Sequence, residues 1–142
     1  NPISCAAARA VLGLVRDGAA IRNAHERGAQ LCALLRDYAG SDRAGARRVG
    51  DVRGLGLSLG VELVVDRASR TPDAALTAKV AYRAWQLGVV AYPVRGNVLE
   101  LTPPLTISAD TVRGAAAILA RAIDDAVEGA VSDEQVAAFG GW

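Results

Sequence analysis

The sequence predicts an α+β fold, a three-stranded, mainly antiparallel sheet covered by helices, and three observations carry that reading. The first is a β-branched and leucine-rich run over residues 49–65, broken by Gly54, Gly56 and Gly60. The second is a pair of short apolar runs, residues 89–94 and 98–101, joined through Arg95-Gly96-Asn97, whose Gly-Asn pair is turn chemistry for an antiparallel hairpin. The third is apolar periodicity of helical spacing on both sides of these runs.

Residues 2–17 form the first predicted helix. Ile3, Ala7, Ala10, Val11, Leu14 and Val15 recur at helical spacing, and Pro2 suits a first turn, where its missing N–H is no loss. Ala6, Ala7, Ala8 and Ala10 allow close packing, which suits a helix wedged between domains. Gly18 ends this helix, and residues 19–39 form a second with Ile21, Ala24, Gly28, Leu31, Leu35 and Tyr38 on one face. Residues 40–48 read as a polar, mobile loop. Residues 49–65 then read as one long strand with a bulge or close backbone approach near its start. After a polar turn over residues 66–71, Pro72-Asp73 opens a helix to Leu87 with Leu76, Val80, Ala84 and Leu87 inward, and Gly88 stops it. The two short strands follow. Ser108 caps a helix that carries Val112, Ala116, Leu119, Ile123 and Val127 inward. A last segment, residues 132–138, opens with a capping box of Ser132 and Gln135, and Phe139 and Trp142 are expected to dock on the domain or on a neighbour.

At 142 residues the chain fits one domain, able to bury roughly two-thirds of the surface its unfolded form exposes. Its apolar runs fall far short of the roughly 18 to 20 residues a membrane span needs, and no signal-peptide pattern opens it, so a soluble cytoplasmic protein is expected. Cys5 and Cys32 lie in helical patterns without a CxxC or histidine partner and read as reduced, buried thiols. A net charge of +1 gives no electrostatic argument for a nucleic acid or a membrane partner. The chain has no methionine, which reads as a fragment of a longer protein. Of its sixteen basic residues only Lys79 is a lysine, and it lies within an amphipathic helix rather than at a strand end or turn.

Few residues invite a chemical role. Gly54-Leu55-Gly56 resembles the start of a dinucleotide loop, but the third glycine, Gly60, comes one residue late and the motif lies inside a strand. His25, the single histidine, has no second ligand or nucleophile at useful spacing, so it reads as a solvated helix residue and no metal site is expected. Ser4, Ser58 and Ser108 lack a nucleophile-elbow context. Arg53 is either an anion hook or, more simply, a strand-edge arginine that fixes the loop by hydrogen bonds. Arg95, at the tip of the predicted hairpin, is either a binding residue or simply wet.

In order along the chain, Asn1-Pro2, Asp51-Val52-Arg53-Gly54-Leu55-Gly56, Gly96-Asn97-Val98-Leu99 and Pro103-Pro104-Leu105 resemble the C-terminal part of class III aminotransferases, the pyridoxal-phosphate enzymes related to ornithine and 4-aminobutyrate aminotransferases. The resemblance covers nearly the whole chain. It implies that residues 1–142 are the small C-terminal domain of a fold-type I transferase, a three- to four-stranded, mainly antiparallel sheet with helices packed on one face. Residues 1–17 would then be an interdomain helix. It implies further that pyridoxal 5'-phosphate is bound by a large domain N-terminal to this chain, which also carries the Schiff-base lysine. This chain would then hold no catalytic residue and be inactive alone. The implied partners are that large domain, a second copy in a homodimer, and a small-molecule amine and keto acid.

One position departs from the family. Many amino-acid-specific members resemble this segment but carry arginine where Glu100 stands, two residues before Thr102-Pro103-Pro104, and that arginine grips the substrate carboxylate through two hydrogen bonds. A glutamate reverses the local charge and disfavours an anion there. The resemblance therefore implies an amine or ω-amino substrate lacking a carboxylate at that spot, or a carboxylate gripped from elsewhere. Amine-type members carry a mobile arginine just before this strand, and Arg95 is the nearest candidate. An ordinary salt bridge from Glu100 to Arg95 or Arg53 is the competing reading. Racemisation, decarboxylation or elimination on the same scaffold stay open, as does a non-catalytic interaction or scaffold domain.

Overall fold

The computed structural model describes residues 1–139, apart from the Phe139 side chain. The expected docking of Phe139 and Trp142 lies outside the described residues. Five helices, α1 (Pro2–Arg16), α2 (Ala19–Ala39), α3 (Ala74–Gln86), α4 (Ala109–Val127) and α5 (Asp133–Phe139), accompany four strands, β1 (Val49–Leu55), β2 (Ser58–Leu63), β3 (Tyr92–Val94) and β4 (Val98–Leu101). The strands form one sheet in the order β1-β2-β4-β3, every neighbouring pair antiparallel. This is the α+β arrangement the sequence predicts, with one more strand.

The extra strand comes from the run over residues 49–65, which is a hairpin and not one long strand. Leu55 pairs with Ser58 across a two-residue turn, and Gly56 supplies the positive φ of 56° that a type II′ turn needs at its first position. Leu57 in that turn is buried, so the apolar pattern runs through the reversal without a break. A bulge does lie near the start of the run. The register slips between Val49 and Asp51, leaving Gly50 as the extra residue, and this lets Val49 and Val52, three apart, both face the core.

Helix ends follow the local chemistry. The side chains of Asn1, Asp73 and Ser108 accept from the amides of Ile3, Leu76 and Thr111, which satisfies donors that have no partner inside the helix. Ser132 and Gln135 form the reciprocal capping box, with each side chain accepting from the other's amide.

One face of the sheet carries Val52, Leu59, Val61, Leu63, Leu99 and Leu101 into the core. Helices α2 and α3 pack on the sheet, and α4 packs on both helices. One approach between layers is backbone on backbone: a Cβ at Gly28 of α2 would stand 1.9 Å from the Gly56 oxygen. The segment before β1 is held rather than loose. Asp124 of α4 accepts from the buried Gly45 amide at 2.7 Å and from the Tyr38 hydroxyl at 2.8 Å, and pairs with Arg43 at 2.6 Å. Arg43 also lies 5.0 Å from the centre of the Tyr38 ring. Burial, and then the bond to Asp124, push the Tyr38 hydroxyl well above the ordinary tyrosine range.

Helix α1 stands apart. It packs beside α2 but has no buried residue, and Ile3, Leu12 and Leu14 are 79%, 61% and 68% exposed. The intended inward face therefore finds no core among the described residues. Ile21, placed on the inner face of α2 by periodicity, is likewise exposed. Among the described residues no helix is long and apolar enough to cross a membrane.

Candidate functional site

Among the described residues no helix packs on the second face of the sheet. Strand alternation sends Asp51 and Arg53 of β1, Ser58, Gly60 and Glu62 of β2, Val98 and Glu100 of β4, and Tyr92 of β3 away from the core residues. Register places four of them in one row across the sheet: Arg53 opposite Gly60, Gly60 opposite Glu100, Glu100 opposite Tyr92.

Arg53 is committed. Its Nη1 donates to Glu62 at 2.9 Å and to Asp51 at 3.1 Å, and these bonds, Glu62 first, hold its proton more tightly than usual. Arg70 lies 3.7 Å from the same Glu62 oxygen. Arg53 thus ties β1 to β2 across the open face, and the anion-hook reading gets no support from its geometry. Glu100 is different. It is exposed and makes no hydrogen bond or ion pair among the described residues. The salt bridge to Arg95 or Arg53 that competed for it is absent there.

Arg95 sits at the apex of the β3–β4 hairpin with φ of 50°, followed by Gly96 at 83°. Positive φ at both residues matches the right-handed twist of the flanking strands. For a non-glycine residue it also costs about 1–2 kcal/mol. The guanidinium is exposed and has no partner among the described residues. Next to it, Asn97 is buried and anchors the turn: its amide group donates to the Leu63 carbonyl at 3.1 Å, and its own carbonyl accepts from the Leu63 N–H at 2.8 Å.

Lys79, the single lysine of the sequence, lies away from that face. Its Nζ lies 2.8 Å from Asp133 of α5, on the helical layer and not on the open sheet face. The 360 Å³ hollow between the end of α2 and β1 is no better. Its two arginines are spent on backbone carbonyls, Arg36 on Val52 and Arg67 on Ala39, Ala46 and Val49. His25, Ser4, Ser58 and Ser108 are exposed and are not brought together, and no group of metal-ligating side chains forms among the described residues. Cys5 is exposed and Cys32 half-buried, so the expected burial of both thiols does not hold.

Of the predicted site residues, Glu100 and Arg95 thus lie on one hairpin, at mid-strand and tip. Tyr92, directly opposite Glu100, was not singled out by sequence. Counting outward from Gly96 would have found it.

Comparison with known proteins matches this geometry to one family. The profile of the family "Aminotransferase class-III" matches residues 1–123. The chain is 36% identical over 142 residues to the leucine/methionine racemase of Thermococcus litoralis, covering 100% of this chain and 31% of that protein. It is 36% identical over 127 residues to the 4-aminobutyrate aminotransferase of Mycobacterium leprae, covering 88% and 27%. It superposes on the structure of a Bacillus anthracis aminotransferase with a TM-score of 0.78 and 29% identity, covering 87% of this chain and 28% of the other. The chain spans less than a third of the length of these proteins. With the profile covering all four strands and the open sheet face, the chain belongs to the class III aminotransferase family.

Proposed function

We propose that this chain is the C-terminal small domain of a pyridoxal-phosphate-dependent aminotransferase that moves an amino group between an amine or ω-amino donor and a keto acid. The observation that carries the reading is the open sheet face with its hairpin tip, where, among the described residues, Glu100 at mid-strand and Arg95 at the apex have no partner. In this reading the face lines a substrate site completed by a large domain N-terminal to the chain. That domain holds the cofactor and the Schiff-base lysine, and α1, apolar and unburied here, packs against it. Arg95 binds the keto-acid carboxylate and Glu100 excludes one from mid-strand. The working form is a homodimer in the cytoplasm.

The test is to reduce the full-length protein with borohydride in the presence of pyridoxal phosphate and to map the tagged lysine by peptide mass spectrometry. A tag outside these 142 residues, with amino transfer from an amine to a keto acid, is the expected result. A tag on Lys79 overturns the division of labour, and no tag with no transfer leaves a non-catalytic scaffold domain.

A second reading is favoured by the identity to a protein named leucine/methionine racemase along the whole chain. A racemase would invert a single enantiomer of an amino acid with no keto acid added; an aminotransferase would not.

A further inference from the structure

We infer that Arg36 and Arg67 close the outer edge of β1 against strand addition, and that the partner they exclude is β1 of a second copy of this chain. The inference goes beyond the proposed function, since it concerns the sheet edge and not the open face.

An open sheet has two edges, and this one protects them differently. β3 is three residues long with Pro93 at its centre, so that edge is short and lacks a donor. β1 is seven residues long, has no proline, and ends in Leu55, 85% exposed. It is the edge at risk. The two-residue turn makes Leu55 and Ser58 a hydrogen-bonded pair, and such pairs alternate along an antiparallel ladder. Val52 and Gly54 therefore aim their N–H and C=O groups away from β2, toward whatever lies beside the sheet.

What lies there is arginine. Arg36 sends both Nε (3.1 Å) and Nη2 (2.9 Å) to the Val52 carbonyl, and Nε of Arg67 donates to the Val49 carbonyl at 2.8 Å. Arg36 sits in the last turn of α2, where a guanidinium would ordinarily serve the helix's own free carbonyls. Here Arg67 does that instead, taking the Ala39 oxygen at 2.6 Å, and Arg36 is turned to the strand. The acceptors a neighbouring strand would need at Val49 and Val52 are thus filled by side chains that offer no acceptor in return. The hollow described above lies at this same edge, so the two guanidinium groups stand where an added strand would run.

Charge picks the register a second copy would take. Across a two-fold axis, setting Val52 opposite its own copy brings Arg53 opposite the partner's Asp51, an attractive pair. The neighbouring register, with Val52 opposite the partner's Gly54, brings Arg53 against itself and is repelled.

The experiment uses the full-length protein and sedimentation over a range of concentrations. Arg36→Met keeps an apolar stem and leaves the three carbonyls bound by Arg67 undisturbed. It should give a species of twice the wild-type mass whose share rises with concentration. Arg36→Ala, which removes the stem as well and suits a helix, is run beside it and should do the same, so that the test does not rest on the folding of one variant. In the larger species the amides of residues 52–54 should exchange about tenfold more slowly than in wild type. Arg36→Lys retains a donor and a charge and should keep the wild-type mass. Adding Asp51→Arg to Arg36→Met sets arginine against arginine and should abolish the larger species. Should both neutral variants keep the wild-type mass at every concentration and merely melt earlier, Arg36 is only a tether from helix to strand and the inference fails. A larger species without added protection at residues 52–54 overturns it equally, and neither result touches the aminotransferase reading.

Discussion

Replacing Asp124 by alanine should unfold this domain's helical layer more readily than any other single charge removal, and the geometry sets the size of the effect. One oxygen of Asp124 accepts from both the Tyr38 hydroxyl and the Gly45 amide, and the other pairs with Arg43. Alanine leaves two buried donors without an acceptor, at about 1–2 kcal/mol each. Arg43 is half-exposed, so its pair contributes at most about 1 kcal/mol. The sum is about 2–5 kcal/mol for Asp124→Ala, against about 1–2 kcal/mol for Tyr38→Phe, which removes one bond and leaves the carboxylate its other two partners. Because the two residues share one bond, the double variant should fall short of the sum by about 1 kcal/mol or more. Guanidinium unfolding of wild type, both single variants and the double variant, followed by tryptophan fluorescence, closes the cycle. An Asp124→Ala loss below about 1 kcal/mol, or strict additivity with Tyr38→Phe, would refute the claim that this carboxylate pins the segment between α2 and β1.

Three further outcomes are expected. Gly28→Ala should destabilise by about 2–3 kcal/mol or prevent folding, because the new methyl meets the backbone oxygen of Gly56 and not a side chain that can turn away; wild-type melting would contradict this. Arg95→Asn should stabilise by about 1 kcal/mol, since asparagine tolerates positive φ, while weakening the keto-acid substrate; the same thermal scan and a Michaelis constant for the acid read both effects. Stability should also fall in alkali. The native state holds the Tyr38 proton after the unfolded chain has lost it near pH 10, so native binds more protons than unfolded and stability declines above that pH, by up to about 1.4 kcal/mol per pH unit. The difference between wild type and Tyr38→Phe across unfolding curves at rising pH isolates this contribution, and parallel curves would rule it out.

Much of the architecture was legible because helices announce themselves by period and cap. Leu31, Leu35, Leu76, Val80, Val112, Leu119 and Ile123 all fell inward as their spacing required, and Ser108 and Ser132 cap as predicted. The split of residues 49–65 was hidden because its turn carries Leu57, whose burial continues the apolar run. The glycines on either side of Leu55 were read as a bulge or close backbone approach within one strand; the close approach is there, at Gly56, but that residue also makes the reversal. Asp124 went unremarked, though it falls four residues after Ala120 and eight after Ala116 on the buried stripe of α4, where a carboxylate is unexpected unless partnered. What no local pattern discloses is pairing over distance. Tyr38 meets Asp124 across 86 positions, and the solitude of Glu100 is a fact about where Arg53 turns. At the candidate site, residue identities were readable and their commitments were not.

The contact of Gly28 with Gly56 has a mechanical meaning beyond its energetics. Most layers in proteins touch through side chains, whose rotamers act as springs and let one element shift before its neighbour responds. Here the backbone of α2 at Gly28 faces the Gly56 carbonyl with no room for a side chain between them, a joint with little compliance. Only Asp17 and Gly18 separate α1 from α2, so a displacement of α1 should be passed by α2 to the β1–β2 reversal with little slack.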